Sequence, residues 1–248
     1  MGSKGKKSGG GGGDSELLDS VAYDRDREYD KFEDRASGTH TYAGDGSKQE
    51  QWFAEHSNFD ELIAGMSPDE RSAFRDWTRG YFMDGTQYRG WDGMDKTSQD
   101  ITRRMDEILD RATLDKGIIV TRRTSAELLL GKGKARVSSL DELTALRGTT
   151  VSSAGAMSTG AAREGLTIGD SSKNVELRIH IAGGTTGAGM WVGDHRINGW
   201  GSEQREFVMN RDAVFAVGAS RYDAKRGVYV SNIYYMGRKP HDYGKKGK

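Results

Sequence analysis

The chain has 248 residues, and its 37 Lys plus Arg balance 37 Asp plus Glu. Net neutrality supplies no long-range field for tight, sequence-independent binding of nucleic acid. The absence of cysteine excludes disulfides, thiolate zinc sites and a cysteine nucleophile.

Residues 1–48 read as a flexible tail: an unbroken glycine run spans Gly9 to Gly13, and a stretch dense in Asp, Arg, Glu and Lys follows, with Tyr23, Tyr29 and Phe32 scattered through it. The opening segment has lysines but no hydrophobic core of a secretory signal. No apolar run approaches the roughly 18 residues that cross a bilayer, so no membrane partner is expected. A folded domain is expected over 49–238, with a basic tail over 239–248.

Trp52, Phe53, Phe59, Leu62 and Ile63 predict a helical stretch with a buried stripe. Ser67-Pro68-Asp69-Glu70 predicts a capping box that opens a second helix, on which Phe74, Trp77, Tyr81 and Phe82 fall at core spacing. A third helix is expected from Ser98 to Ala112. The period then changes to two, and Gly117 to Arg122 reads as a buried strand. Ser139 and Glu142 predict another capping box before a short helix over Leu140–Leu146 that ends at Gly148.

The second half is strand-rich. Val175, Leu177, Ile179 and Ile181 alternate with Glu176, Arg178 and His180, which predicts a half-buried strand. Glu206–Met209 and Ala213–Val217 read as two more, and Tyr222–Met236 as a hairpin turning near Lys225-Arg226-Gly227. Helices first and antiparallel strands second argue for an α+β fold. The glycines near Gly131 and Gly183 lack the strand-loop-helix context of a phosphate-binding loop. None of the 5 His residues has metal-ligand spacing with another, so no metal is expected.

Three segments carry chemistry: Ile118-Ile119-Val120-Thr121-Arg122-Arg123, Ala156-Met157-Ser158-Thr159-Gly160, and Gly201-Ser202-Glu203-Gln204-Arg205-Glu206-Phe207-Val208. In this order they resemble the signature blocks of mono-ADP-ribosyltransferases of the bacterial exotoxin type. Those blocks are a strand ending in Arg, a strand carrying Ser-Thr-Ser, and a Glu-x-Glu or Gln-x-Glu pair leading into a strand. The first block is similar to that of the enzymatic subunits of binary actin-modifying toxins. Related domains occur in Rho-directed exoenzymes, phage proteins and polymorphic toxins. The resemblance spans roughly residues 50–238 and implies two packed, mostly antiparallel sheets around an NAD cleft, with N-terminal helices. It also implies NAD as co-substrate, no metal, and a macromolecular acceptor in the cytoplasm of a host or target cell. The chain is expected to act as a monomer.

The resemblance assigns Glu206 to catalysis, and physical chemistry gives the reason. Breaking the nicotinamide–ribose bond builds positive charge on the sugar, as in glycoside hydrolysis, and a fixed carboxylate stabilises it. Arg122 is implied as the clamp on the NAD pyrophosphate, since its planar donors match phosphate oxygens; Arg123 is the competing register. Ser158 would hold Glu206 through a hydroxyl–carboxylate hydrogen bond, and Thr159 would support the strand shaping the nicotinamide pocket; Ser152 and Ser153 offer another register. Gly160 departs from the family's usual Ser, and Ala156 from a common aromatic.

Gln204 would position the acceptor. In the family, Glu at that place accompanies arginine modification. Gln accompanies modification of asparagine in Rho-directed enzymes and of guanine in pierisin-like ones. An amide offers both donor and acceptor, as that chemistry requires. A one-residue slip would give the place to Glu203. Trp200, in the expected recognition loop Trp191–Ser202, offers a stacking platform. Protein is the acceptor favoured, with a nucleic-acid base as the alternative. A domain of this fold without turnover, serving as a binding or virion module, is the second alternative. Apart from the resemblance, Glu206 is a strand carboxylate facing solvent, Arg122 a surface ion-pair partner, and Ser158–Thr159 part of a polar loop.

Overall fold

The computed structural model describes residues 42–44, 47–79, 91–161, 173–194, 196–199, 206–241 and 243, and among these, helices predominate up to Leu109 and strands after it. The first predicted helix is two helices, α1 (Ser47–His56) and α2 (Phe59–Gly65). The break is chemical. The Ser57 hydroxyl donates back to the Phe53 carbonyl, and the Asn58 amide bridges the main chain of Arg111 and Thr113 at 2.9 and 2.8 Å. Helix α3 (Pro68–Thr78) opens on the predicted capping box, with Ser67 Oγ accepting from the Glu70 amide and Glu70 accepting from that of Ser67. Helix α4 (Lys96–Leu109) starts two residues before Ser98, because Asp95 caps it through the Ser98 amide at 2.8 Å.

Short helices α5 (Glu127–Leu130) and α6 (Leu140–Thr144) follow strands β1 (Thr113–Leu114) and β2 (Ile118–Thr124). The capping box expected at Ser139 does not form. Glu142 accepts instead from the Ser138 amide at 2.7 Å, and the Ser139 side chain caps nothing.

The remaining strands are β3 (Thr150–Ser152), β4 (Met157–Gly160), β5 (Val175–Ile181), β6 (Thr185–Thr186), β7 (Gly189–Trp191), β8 (Glu206–Met209), β9 (Ala213–Asp223) and β10 (Val228–Arg238). Strands β1 and β6 pair by themselves, and the rest run in the order β3-β9-β10-β5-β2-β4-β8-β7. Only the β10–β5 pairing is parallel. The link between β2 and β4 is one residue pair, Thr121 with Gly160. The order therefore divides into a five-stranded and a three-stranded group hinged at that pair. The α+β class is the one the sequence predicts, while the two mostly antiparallel sheets implied by the resemblance are joined through that pair into one eight-stranded sheet.

Strand β5 corrects one expectation: it is buried on both faces, not half-buried. Its polar alternates pair with one another and with partners distant in sequence. Glu176 takes Arg178 at 3.1 Å and also the guanidinium of Arg226, while His180 bonds Asn232 at 3.0 Å and stacks on Tyr234.

Helix α1 closes the outer side of the three-stranded group. Phe53 stacks on Trp191 at 5.5 Å and on Phe207 at 6.0 Å, with Phe59 beside them. Burying each such ring contributes about 2–3 kcal/mol.

Both ends of the folded part extend past the expected boundaries. Ala43 is buried and its amide donates to the Ala161 carbonyl at 3.1 Å. At the other end, Lys239 to His241, expected in a tail, dock against the body: Lys239 N donates to Asp212 O, and His241 sits among Asp106, Asp110 and Asp212. Arg211 lies at the centre of this cluster, paired with Asp106 at 2.9 Å and Asp212 at 3.0 Å, with its guanidinium against the rings of Trp91 and Tyr243. Among the described residues no helix is long and apolar enough to cross a membrane.

Candidate active site

Glu206 opens β8, and its neighbour across the ladder is Gly160 of β4; one step along, Val208 faces Ser158. Residues two apart on a strand share a face, and directly paired residues share it too. Glu206, Ser158 and Gly160 therefore lie on one side of the three-stranded group, and Thr159 and Phe207 on the other. Ser158 hydrogen-bonds the Glu206 carboxylate, and the Ser158 carbonyl accepts from Arg122 Nη1 at 2.8 Å. The structure thus gathers Arg122, Ser158 and Glu206 at the junction of the two strand groups.

The register of β2 against β5 separates the two arginines. Arg122 pairs with Leu177 and Arg123 with Glu176, so they project to opposite faces. Arg122 is 4 % exposed and faces the junction; Arg123 donates instead to the Lys173 carbonyl at 2.9 Å. Thr159 is fully buried, with its hydroxyl on the Phe207 carbonyl at 2.6 Å. It ties β4 to β8 from behind and does not face the junction. Ser152 and Ser153 lie away from Glu206: Ser153 donates to the Gly155 carbonyl, and Ser152 takes a bond from Lys239. Gln204 and Trp200, with Glu203, fall outside the described residues.

Glu206 is 4 % exposed, and burial raises its pKa from 4.5 to about 7. The Ser158 hydrogen bond and the Arg122 charge both oppose that rise without cancelling it. A buried carboxylate poised near neutrality, with a cation and a hydroxyl beside it, suits stabilisation of a developing positive charge.

A cavity of about 320 Å³ borders this junction at Arg122 and Met157; Ser152 and Ser153 are among its lining residues, and Glu206 and Ser158 are not. Arg122 and Leu177 line it from the five-stranded group, Met157 and Ala156 from β4 and its approach, and Ser125, Glu127, Leu128 and Lys132 from the segment after β2. It combines apolar walls with a few polar and charged groups, as ligand sites do. Sequence reasoning passed over the last four residues. The signal there was the pair of glycines flanking Lys132, in a context matching no phosphate-binding motif. A second cavity, of about 30 Å³ beneath α3 and α4, shares Gly155 and Ala156 with the first and has room for about two waters. Among the described residues no group of His, Asp and Glu forms a metal-binding set.

The segment before the undescribed residues 200–205 is firmly anchored. Asn198 and Ile197 are buried, and Asn198 Nδ2 donates to the Val192 carbonyl. Gly199 exchanges bonds with the end of α3: its amide donates to Thr78 Oγ1 at 2.6 Å, and its carbonyl accepts from Arg79 Nε at 3.2 Å.

The fold is shared with bacterial ADP-ribosyltransferase toxins. The structure of C3stau2 from S. aureus with NAD superposes with a TM-score of 0.63 at 14 % identity, covering 81 % of this chain and 100 % of that one. Plx2a, an ADP-ribosyltransferase toxin from Paenibacillus larvae, matches with 0.63 at 15 % identity over 77 % of this chain and 96 % of its own. BECa, the ADP-ribosylating toxin of a binary enterotoxin of C. perfringens, solved with NADH, gives 0.56 at 15 % identity over 78 % of this chain and 49 % of its own. No protein-family model matches the sequence, and no curated protein matches it.

Proposed function

We propose that this chain is a mono-ADP-ribosyltransferase that cleaves NAD between nicotinamide and ribose and transfers ADP-ribose to a macromolecular acceptor of a host or target cell. One observation carries the reading: a buried carboxylate, Glu206, is held by Ser158 beside Arg122, which itself lines a cavity of about 320 Å³, in a chain with the fold of ADP-ribosyltransferase toxins.

The chemistry follows from the charges. The C1–N bond breaks as its electron pair leaves with nicotinamide, which departs neutral, and the ribose acquires oxocarbenium character. Glu206, ionised, stabilises that charge as it grows and orients the sugar; it gains most in the transition state, where the charge is largest. Arg122 holds the pyrophosphate by charge-assisted hydrogen bonds, so that the departing base and the attacking group align. Ser158 fixes the rotamer of Glu206. Thr159 acts through the strand that carries Ser158, by its bond to Phe207. The acceptor nucleophile attacks C1 and loses its proton. No metal takes part in this scheme.

Gln204, two residues before Glu206, is the acceptor-positioning residue in this reading, with Trp200 contributing a stacking surface. An amide there favours an amide or similar side chain over the guanidinium of arginine, and a protein acceptor fits a chain of zero net charge better than nucleic acid does.

The test is incubation of the chain with labelled NAD and target-cell lysate, followed by separate protease and nuclease digestion. Label lost to protease supports a protein acceptor. Label lost to nuclease assigns the same chemistry to a base. No transfer and no nicotinamide release would overturn the enzymatic reading and leave a binding module of this fold.

A further inference from the structure

We infer that Lys132 is the second cation of the dinucleotide site, placed to meet the pyrophosphate together with Arg122; this rests on the NAD reading above. The pyrophosphate of NAD carries two negative charges, and Arg122 supplies one positive charge. Among the described residues that line the 320 Å³ cavity, the only other cation is Lys132. Glu127 lines the same cavity, but one of its carboxylate oxygens is engaged by the Gly133 amide at 3.0 Å.

The loop is built to present this side chain. The Lys134 amide donates to the Gly131 carbonyl at 3.2 Å, closing a four-residue turn in which Lys132 takes the second position and Gly133 the third. Gly133 has φ +87°, the left-handed value that such a third position requires and that only glycine adopts without strain. The turn is tied at both sides: Gly131 N donates to Glu127 O at 3.0 Å, and Ala126 N to Ala135 O at 3.1 Å. Lys132, exposed at the rim, thus sits on a fixed turn that lines a cavity whose other cation is already assigned to phosphate.

The test uses the full chain and its Lys132→Ala and Lys132→Arg variants. NAD glycohydrolysis gives kcat and KM, and calorimetry with ADP as probe gives binding at low and moderate salt. Lys132→Ala should raise KM for NAD and Kd for ADP about tenfold, the loss of one charge-assisted hydrogen bond. The effect should fall on KM and not on kcat, the salt dependence of ADP binding should become shallower, and Lys132→Arg should restore most of the affinity. Unchanged KM and Kd in Lys132→Ala would overturn the assignment while leaving the NAD reading intact. Failure of the unaltered chain to bind either NAD or ADP would overturn that reading and this one with it.

Discussion

Glu206 stands directly opposite Gly160 across the β4–β8 ladder, so its cross-strand neighbour offers no side chain, and Ser158, two residues along, supplies its hydroxyl partner. The resemblance to the exotoxin enzymes places a serine where Gly160 stands. Glu206 is therefore held by one hydroxyl and one guanidinium, and burial outweighs both.

Loss of the carboxylate should remove catalysis and spare binding. Glu206→Gln keeps the shape and removes the charge that the transition state needs, so transfer should fall by about 10²–10³-fold or more. NAD affinity, measured by titration, should change little, because ground-state contacts with the phosphates and base persist. Near-full turnover by this variant would remove Glu206 from its role.

The same substitution should strengthen the fold above neutral pH. Glu206 is raised to about 7 from 4.5, so between those values the folded chain holds a proton that the unfolded chain has released. Stability is therefore highest below about 4.5 as far as this group is concerned, and declines by about 3 kcal/mol as pH rises through 7. Glu206→Gln escapes that decline. It should melt about 6–12 °C above the unaltered chain at pH 8 and converge with it near pH 4.5. Identical melting curves at pH 8 would show that the carboxylate is not desolvated.

Activity should carry the same signature with opposite sign. The ionised form does the chemistry, so kcat/KM should climb through an acid limb near pH 7. Ser158→Ala removes a bond that lowers the Glu206 pKa and should move this limb to higher pH, with a reduced plateau. A limb that stays in place would mean that Ser158 does not hold the carboxylate in the working enzyme.

How far the sequence carried these conclusions depends on which interactions were local. The capping box at Ser67, most of the helix read as Ser98 to Ala112 and observed over Lys96–Leu109, and the turn between β9 and β10 are set by neighbours within a few residues. That the strand read as Ala213–Val217 continues unbroken to Asp223 as the first arm of the hairpin is not. The choice between Arg122 and Arg123 is not local; it depends on the register of β2 against β5, which pairs Arg122 with Leu177. Burial of Glu176 was hidden for the same reason, since Arg226 lies fifty positions away. Asn58 ends a helix by bonding residues 111 and 113, which no helical pattern announces. Lys132 matched no motif because its significance is a cavity assembled from three separate segments.

The anchor before residue 200 should divide transfer from hydrolysis. A β-carbon on Gly199 would lie 2.4 Å from the Arg75 carbonyl and 2.3 Å from Arg79 Cγ, too close to the end of α3 to be absorbed without movement. Gly199→Ala should shift the segment that leads to Trp200 and Gln204 while leaving Arg122, Ser158 and Glu206 in place. Nicotinamide release without acceptor should then persist within about threefold, and labelled transfer to acceptor should fall about tenfold or more, as a misplacement of about 1 Å can cause. Equal loss of both activities would show that the segment serves the fold and not the acceptor.

Arg211 and Asp106 form an ion pair with both side chains 3 % exposed, and with it the C-terminal segment is fastened to α4 and to the turn between β8 and β9. Burial pushes the Asp106 carboxyl above the usual range despite Arg211 and His241, so desolvation weighs heavily on this pair. Removing Asp106 strips Arg211 of its bidentate partner and leaves it buried with the Asp212 carboxylate at 3.0 Å. Asp106→Ala should cost several kcal/mol, up to about 3–5 kcal/mol for a wholly uncompensated buried charge, and lower the melting temperature accordingly, whereas the double variant Asp106→Leu/Arg211→Met should recover most of that loss, because apolar groups of similar size carry no desolvation penalty. Calorimetric melting of the unaltered chain, the single variant and the double variant separates the cases. A single variant that melts like the unaltered chain would mean that the segment around His241 is not fastened through this pair.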